Sequence, residues 1–220
     1  MRAAVATATR STHDTETRER LLRAAMRLFG ERGLKHVTVR EICRAARANV
    51  AAVNYHFGDK LGLYREIVQS AIDQMRATNE AARRAGEGGT PEEKLRRYII
   101  IFNQRLMTSG VEELHRVISR EMHEPTPALD ALVEQGIKPR LDYLLTLVAD
   151  VLGCDKHDPR VLRCAASIQT QSIAYMPNAV ADRIGLRAKL TAAQVDEVAQ
   201  HIADFSMAGI RAIAASTRIH

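Results

Sequence analysis

Tryptophan is absent from the 220 residues, and phenylalanine and tyrosine together number nine. So few aromatic side chains, and no segment of strand alternation flanked by hairpin turns, point to an all-α chain with an aliphatic core. Cysteine occurs three times, as Cys43, Cys154 and Cys164, widely spaced and without CxxC or Cys/His zinc spacing. A disulfide framework is thereby excluded, and reduced thiols in a cytoplasmic setting are expected. No apolar run approaches the roughly 20 residues of a membrane span, so no membrane is expected as a partner. The opening MRAAVATATRSTHDT also lacks the apolar core of a secretory signal. Internal repeats and low-complexity tracts are missing, and so is any serine, cysteine or carboxylate constellation that supports catalysis. No catalytic residue, cofactor or metal is expected.

What is present is an uneven distribution of charge. Residues 1–65 carry thirteen Lys/Arg against six Asp/Glu, a net of +7, whereas residues 66–220 carry nineteen against twenty. The overall +6 and the pI near 9.5 therefore belong to the first third. A local surface for a polyanion follows.

Glycine, proline and capping signals divide the chain into about nine helices. The first should run from near Thr17 to Gly33, with Leu21, Leu22, Ala25, Leu28 and Phe29 as its apolar stripe. Thr38 and Glu41 form a capping box for a short second helix through Ala46. Asn49 should cap a third, Val50 to His56, and Asp59 a long fourth. Gly86, Gly88 and Gly89 end the fourth, and Thr90, Pro91 and Glu93 start another. Pro125 and Pro127 precede a long helix to Leu152, kinked around Gly136 and Pro139. Asp158-Pro159 opens a helix to about Tyr175. After a loop around Pro177 and Gly185, Thr191 and Gln194 box the last one. The expected organisation is a disordered arm over 1–15, a three-helix helix-turn-helix domain over 16–62, and a larger helical domain over 63–220.

The stretch TVREICRAARANVAAVNYHFGDKLGLY, Thr38 to Tyr64, holds two short helices joined by a tight turn. A helix-turn-helix sets its second helix in the major groove. Asn49, Val50, Ala51, Ala52 and Asn54 would be presented there, with Asn54 suited to an adenine edge and the small apolar residues to a thymine methyl. Thr38, Arg40, Tyr55, His56 and Lys60 suit phosphates, so Lys60 should contribute affinity and Asn54 selectivity. Phe57 reads as a core aromatic that pins the turn, and Cys43 as a small core residue.

The segment from about Thr17 to Ile72, with LLRAAMRLFGERGLKHVTVREIC and VNYHFGDKLGLY, resembles the DNA-binding domain of the TetR family of bacterial repressors. Arg47 stands where that family usually has a turn glycine, and can add a phosphate contact. HRVISREMHEPTPALD, the KPRLDYLLTLVADVLG run and IQTQSIAY resemble the C-terminal domain of the CecR-type subgroup. These resemblances imply a regulator of double-stranded DNA at an inverted-repeat operator, released by a small-molecule effector. They also imply a homodimer through helices near 158–175 and 191–214. Ala165, Ala166, Ser172 and Gly209 would allow close approach there, and a dimer fits the need of one short helix for two half-sites.

Phe102, Met122, Tyr143 and Gln171 are candidates for the effector pocket, with ordinary packing as the alternative. Arg120 and Glu121 read as a buried pair that fixes the sixth helix. Glu112-x-x-His115, with Glu121 and His123 nearby, has a spacing used by carboxylate metal sites in helical bundles, although no second copy supplies the remaining ligands. A metal-dependent helical-bundle enzyme and an adapter for acidic proteins are therefore the rival readings.

Overall fold

The computed structural model describes residues 2–107, 112–175, 183 and 190–216, with the backbone alone for residues 2–13. Among these residues the chain is all helical, without a strand. The helices are α1 (Arg2–Arg32), α2 (Val39–Ala46), α3 (Val50–Phe57), α4 (Lys60–Gly86), α5 (Pro91–Met107) and α6 (Glu112–His123). A short α7 (Leu129–Leu132) passes through a π-helical turn (Val133–Ile137) into α8 (Lys138–Leu152), followed by α9 (Pro159–Ala174) and α10 (Ala192–Ser216). Counting the 129–152 stretch as one, nine helical segments are described. The loop anticipated around Pro177 and Gly185 lies outside the described residues.

Most helix starts are fixed locally. Thr38 and Glu41 close the capping box at α2, and Asn49 Oδ1 accepts from Ala51 N at 3.0 Å to start α3. Asp59 Oδ1 accepts from Gly62 N at 2.6 Å at the head of α4. Thr90 with Glu93, and Thr191 with Gln194, repeat the box at α5 and α10. The π-turn ends next to Pro139. Proline has no N–H to return to residue 135 and its ring crowds that carbonyl, so the ladder loosens by one residue there. One boundary differs from expectation: α1 begins at Arg2, not near Thr17, and the arm is helical. Four alanines among residues 2–10, and no glycine or proline before Gly30, favour the helical backbone.

The chain divides into two compact units, Met1–Ile72 with Glu112–Val133, and Asp73–Val111 with Glu134–His220. In the first, α1 packs on α2, α3 and α6. The approach of α1 to α6 is close at Gly30, where a Cβ would lie 3.1 Å from Arg116 Cβ and 3.2 Å from the Glu113 carbonyl oxygen. An expected boundary at 62/63 leaves α6 out of this group, because nothing in its local sequence records its partner helix. The core of the first unit includes Leu21, Phe29, Ile42, Val53, Leu63 and Ile67, all essentially inaccessible. The second unit packs α5, α8, α9 and α10 around Leu95, Tyr98, Ile99, Leu144, Val148, Ala165 and Ala203. Arg96 pairs with Asp204, and Arg211 with Glu92, across α5 and α10.

Candidate functional site

The turn between α2 and α3 is built around an unusual backbone. Arg47 has φ 50° and ψ 48°, the one non-glycine residue at positive φ among the described residues. That angle lets Ala48 N reach the Cys43 carbonyl oxygen at 2.9 Å and reverses the chain after only two turns of helix. Arginine adopts the conformation glycine would adopt freely, at a steric cost. Its side chain is exposed at the turn.

Helix α3 buries one residue, Val53. Asn49, Val50, Ala51, Asn54 and Tyr55 are exposed, and Ala52 is half-buried. Tyr55 is 75% exposed, too much for a residue that merely pins a turn. Arg40 is exposed on α2. Asn49 spends its oxygen on the cap, so its amide nitrogen is what it offers outward. Phe57 is half-buried under the Arg18 guanidinium, 5.5 Å from the ring centre.

Three residues assigned to phosphates have other engagements. Lys60 Nζ donates to the carbonyl oxygens of Leu34 and Val37, both at 2.9 Å, and ties α4 to the loop after α1. Its charge is committed to the fold, with one N–H left over. The Thr38 hydroxyl donates to Glu41 Oε2 at 2.7 Å and accepts from Glu41 N, so the capping box occupies it. The His56 side chain is only 7% exposed and lies 3.4 Å from Asp14. Glu41 also accepts from Arg32 at 2.9 Å. The Thr38 hydroxyl and backbone N–H, with Arg32, hold the Glu41 carboxyl down at about 2.

A groove missed in the sequence runs between α1 and α2. Arg20, Arg23, Arg27 and Arg47 line it with Ala24, Ala45 and Glu113, enclosing about 440 Å³. The spacing 20, 23, 27 places three arginines on one face of α1 and was available as a signal.

Elsewhere in the first unit, Arg120 and Glu121 do not pair. Arg120 donates to the carbonyl oxygens of Gly30 at 3.4 Å and Glu31 at 2.8 Å, and to Glu124 at 3.0 Å. Glu121 is fully buried and accepts from Tyr64 Oη, from Thr126 N at 2.8 Å and from Thr126 Oγ1 at 2.9 Å. Burial, then the Glu121 carboxyl, push the Tyr64 hydroxyl well above its ordinary range. Successive helical residues point about 100° apart, so neighbours in sequence seldom share a buried partner. Cys43 is buried, and burial pushes its thiol up, against an easily oxidised thiolate.

The four pocket candidates do not all converge. Phe102 and Tyr143 both pack on Tyr98 in the second unit, stacked at 6.0 Å and edge-on at 5.7 Å. Gln171 donates to Ser206 Oγ at 3.1 Å on the α9–α10 side. Met122 belongs to the first unit and is 56% exposed, because α6 turns Leu114, Val117 and Glu121 inward instead. Among the described residues no group of three or more His, Cys, Asp or Glu gathers to hold a metal, and no helix is long and apolar enough to cross a membrane.

Residues 21–67 match the family model described as bacterial regulatory proteins, tetR family. Residues 91–210, more than half of the chain, match the C-terminal domain of the HTH-type transcriptional dual regulator CecR. The chain is 34% identical over 156 residues to CecR of Shigella flexneri, covering 67% of this chain and 70% of that protein. Its fold is similar to the ketosteroid transcriptional regulator KstR2 of Mycobacterium tuberculosis, with TM-score 0.67 and 18% identity over 87% of this chain and 93% of the other. PfmR from Thermus thermophilus is likewise similar, with TM-score 0.64, 19% identity, and 86% and 95% coverage. With an exposed two-turn helix held by a capped turn at its N-terminal end and a CecR-type C-terminal domain, this chain belongs to the TetR family of DNA-binding transcriptional regulators.

Proposed function

We propose that the chain is a cytoplasmic repressor that binds an inverted-repeat operator as a homodimer and leaves it when a small molecule occupies the larger helical domain. The observation that carries this reading is the outer face of α3, where Val50, Ala51 and Asn54 stand exposed around a single buried anchor, Val53. Asn54 reads a base edge, Val50 and Ala51 touch a thymine methyl, and Arg40, Arg47 and Tyr55 reach phosphates. Lys60 and His56 support the helix from behind.

The dimer is supported by α9 and α10. Leu162, Ile173 and Phe205 are large apolar side chains left exposed, Phe205 at 65%. Exposed Ala166 and Gly209 lie on the same two helices, and a Cβ at Gly209 would meet nothing within 4 Å in its own chain. Ala165 and Ser172, by contrast, are buried inside the protomer and are withdrawn from that face. An apolar face with a small-residue gap suits a second copy in a four-helix arrangement.

Effector release requires a ligand that binds more tightly to a state in which the two α3 helices no longer match successive grooves. Helix α4 supplies residues to both units, Lys60–Ile72 to one and Asp73–Gly86 to the other, and is the lever in this reading.

Selection of the full-length protein against random-sequence duplex DNA at near-physiological salt tests the proposal. An enriched inverted repeat with half-sites about one DNA turn apart supports it. Binding that shows no sequence preference and collapses as salt rises would leave only a basic surface, and would move the acidic-protein adapter forward.

A further inference from the structure

Among the described residues of the second unit, the polar side-chain atoms sealed from solvent and without a hydrogen-bond partner include Tyr98 Oη, Arg140 Nε and Asn103 Oδ1. Tyr98 and Asn103 are essentially inaccessible. Asn103 has already given its amide nitrogen to the Ile99 carbonyl oxygen at 2.8 Å, which leaves the unsatisfied oxygen as its free end. Arg140 forms no ion pair with a carboxylate among the described residues; its guanidinium rests on an aromatic face instead, 5.0 Å from the centre of the Phe102 ring. Burial holds its pKa below the ordinary guanidinium range and pushes the Tyr98 hydroxyl up to about 12, with each group among the other's electrostatic neighbours.

Tyr98 and Arg140 belong to a ladder of rings and cations. Arg140 covers Phe102, Phe102 stacks parallel to Tyr98 at 6.0 Å, Tyr143 meets Tyr98 edge-on at 5.7 Å, and Arg83 sits 4.1 Å from the centre of the Tyr143 ring. Arg83 and Tyr143 also line an open groove of about 500 Å³ with Glu80, Lys94 and Asp150, so solvent reaches the outer end of the ladder.

The unmet needs define a ligand. The Arg140 Nε–H and the Tyr98 hydroxyl are donors lacking an acceptor among the described residues, and beside a half-buried cation the acceptor that costs least to desolvate is an anion. Asn103 lacks a donor. The surrounding surface is flat and aromatic. We propose that the effector is an aromatic carboxylate, its carboxylate held between Arg140 and the Tyr98 hydroxyl, its ring against Phe102 and Tyr143, with a hydroxyl or N–H on its far side for Asn103 Oδ1. This assignment rests on the reading of the larger domain as the effector domain.

Full-length wild type, Tyr98→Phe and Arg140→Gln are compared by calorimetry and thermal melting with 2-naphthoate, 6-hydroxy-2-naphthoate and the neutral 2-naphthamide. Tyr98→Phe removes one unpaired oxygen and nothing else, so without ligand its melting temperature should equal or exceed that of wild type. Both naphthoates should bind wild type more tightly than the amide does. Either substitution should weaken the naphthoates about tenfold or more while leaving the amide unchanged. Equal binding of naphthoate and amide, equal naphthoate binding by folded Tyr98→Phe, or no binding of either carboxylate overturns the assignment. Operator binding is measured on the same samples. Sequence-specific DNA binding released by a neutral or cationic aromatic compound would discard the anion alone, whereas loss of all sequence preference would discard the regulatory reading beneath it.

Discussion

Tyr64 donates its hydroxyl to the buried carboxyl of Glu121, joining positions 57 residues apart within the first unit. Thr126 completes the site with its backbone N–H and hydroxyl. Glu121→Ala should strand Tyr64 Oη and Thr126 N together and cost about 3 kcal/mol, whereas Glu121→Gln retains an acceptor and should cost less. Urea unfolding of the two variants checks the order, and equal losses would deny Glu121 its role as an acceptor.

Arg47 holds a backbone conformation that glycine would hold without steric penalty. Arg47→Gly should therefore raise stability by about 0.5–1 kcal/mol, the relief of left-handed strain exceeding the added unfolded-state entropy. It should also reduce the salt dependence of DNA binding by about one phosphate contact. Melting curves and a salt titration of operator affinity separate the two effects.

Lys60 and Asn54 should fail in different ways. Lys60→Met deprives the Leu34 and Val37 carbonyls of their donor and should cost about 1–3 kcal/mol of stability. Asn54→Ala should leave the fold intact and lose about 1–3 kcal/mol of discrimination at one base pair of each half-site. Competition binding with singly substituted operators, paired with melting curves, would show whether the roles divide in this way.

Glu41 gives the first unit a defined acid sensitivity. Its folded pKa, about 2, lies below the ordinary carboxylate value of 4.5, so its contribution is fully present above pH 4.5 and is lost as pH falls toward 2. In Glu41→Gln the box keeps its acceptor but has no proton to take up. The difference in melting temperature between wild type and variant should shrink between pH 5 and pH 2.5, and a constant difference would contradict the assignment.

The helix starts at Thr38, Asn49, Asp59, Thr90, Asp158 and Thr191 were legible in the sequence because each cap is a contact within a few residues. The turn at Arg47 was visible for the same reason, as a residue where a glycine is usual. The hold of Lys60 on the loop after α1 is not legible in the sequence, because its acceptors lie 23 and 26 residues upstream. The partner of Glu121 is not legible in the sequence either, because Tyr64 stands 57 residues away. Met122 falls on the outer side of α6 by one residue of phase, a distinction that periodicity cannot draw when Leu114, Val117 and Met122 all look apolar.

Helix α3 is eight residues long, too short to persist alone, and Val53 is its sole buried anchor. The surface proposed to read DNA thus has no stability of its own and borrows it from α1 and α2. Warming should extinguish operator recognition at the temperature where that small core loosens, even while the larger helical unit keeps its circular dichroism. On the proposed reading, sequence recognition in this molecule is a property on loan from the buried hydrophobic cluster beneath α3.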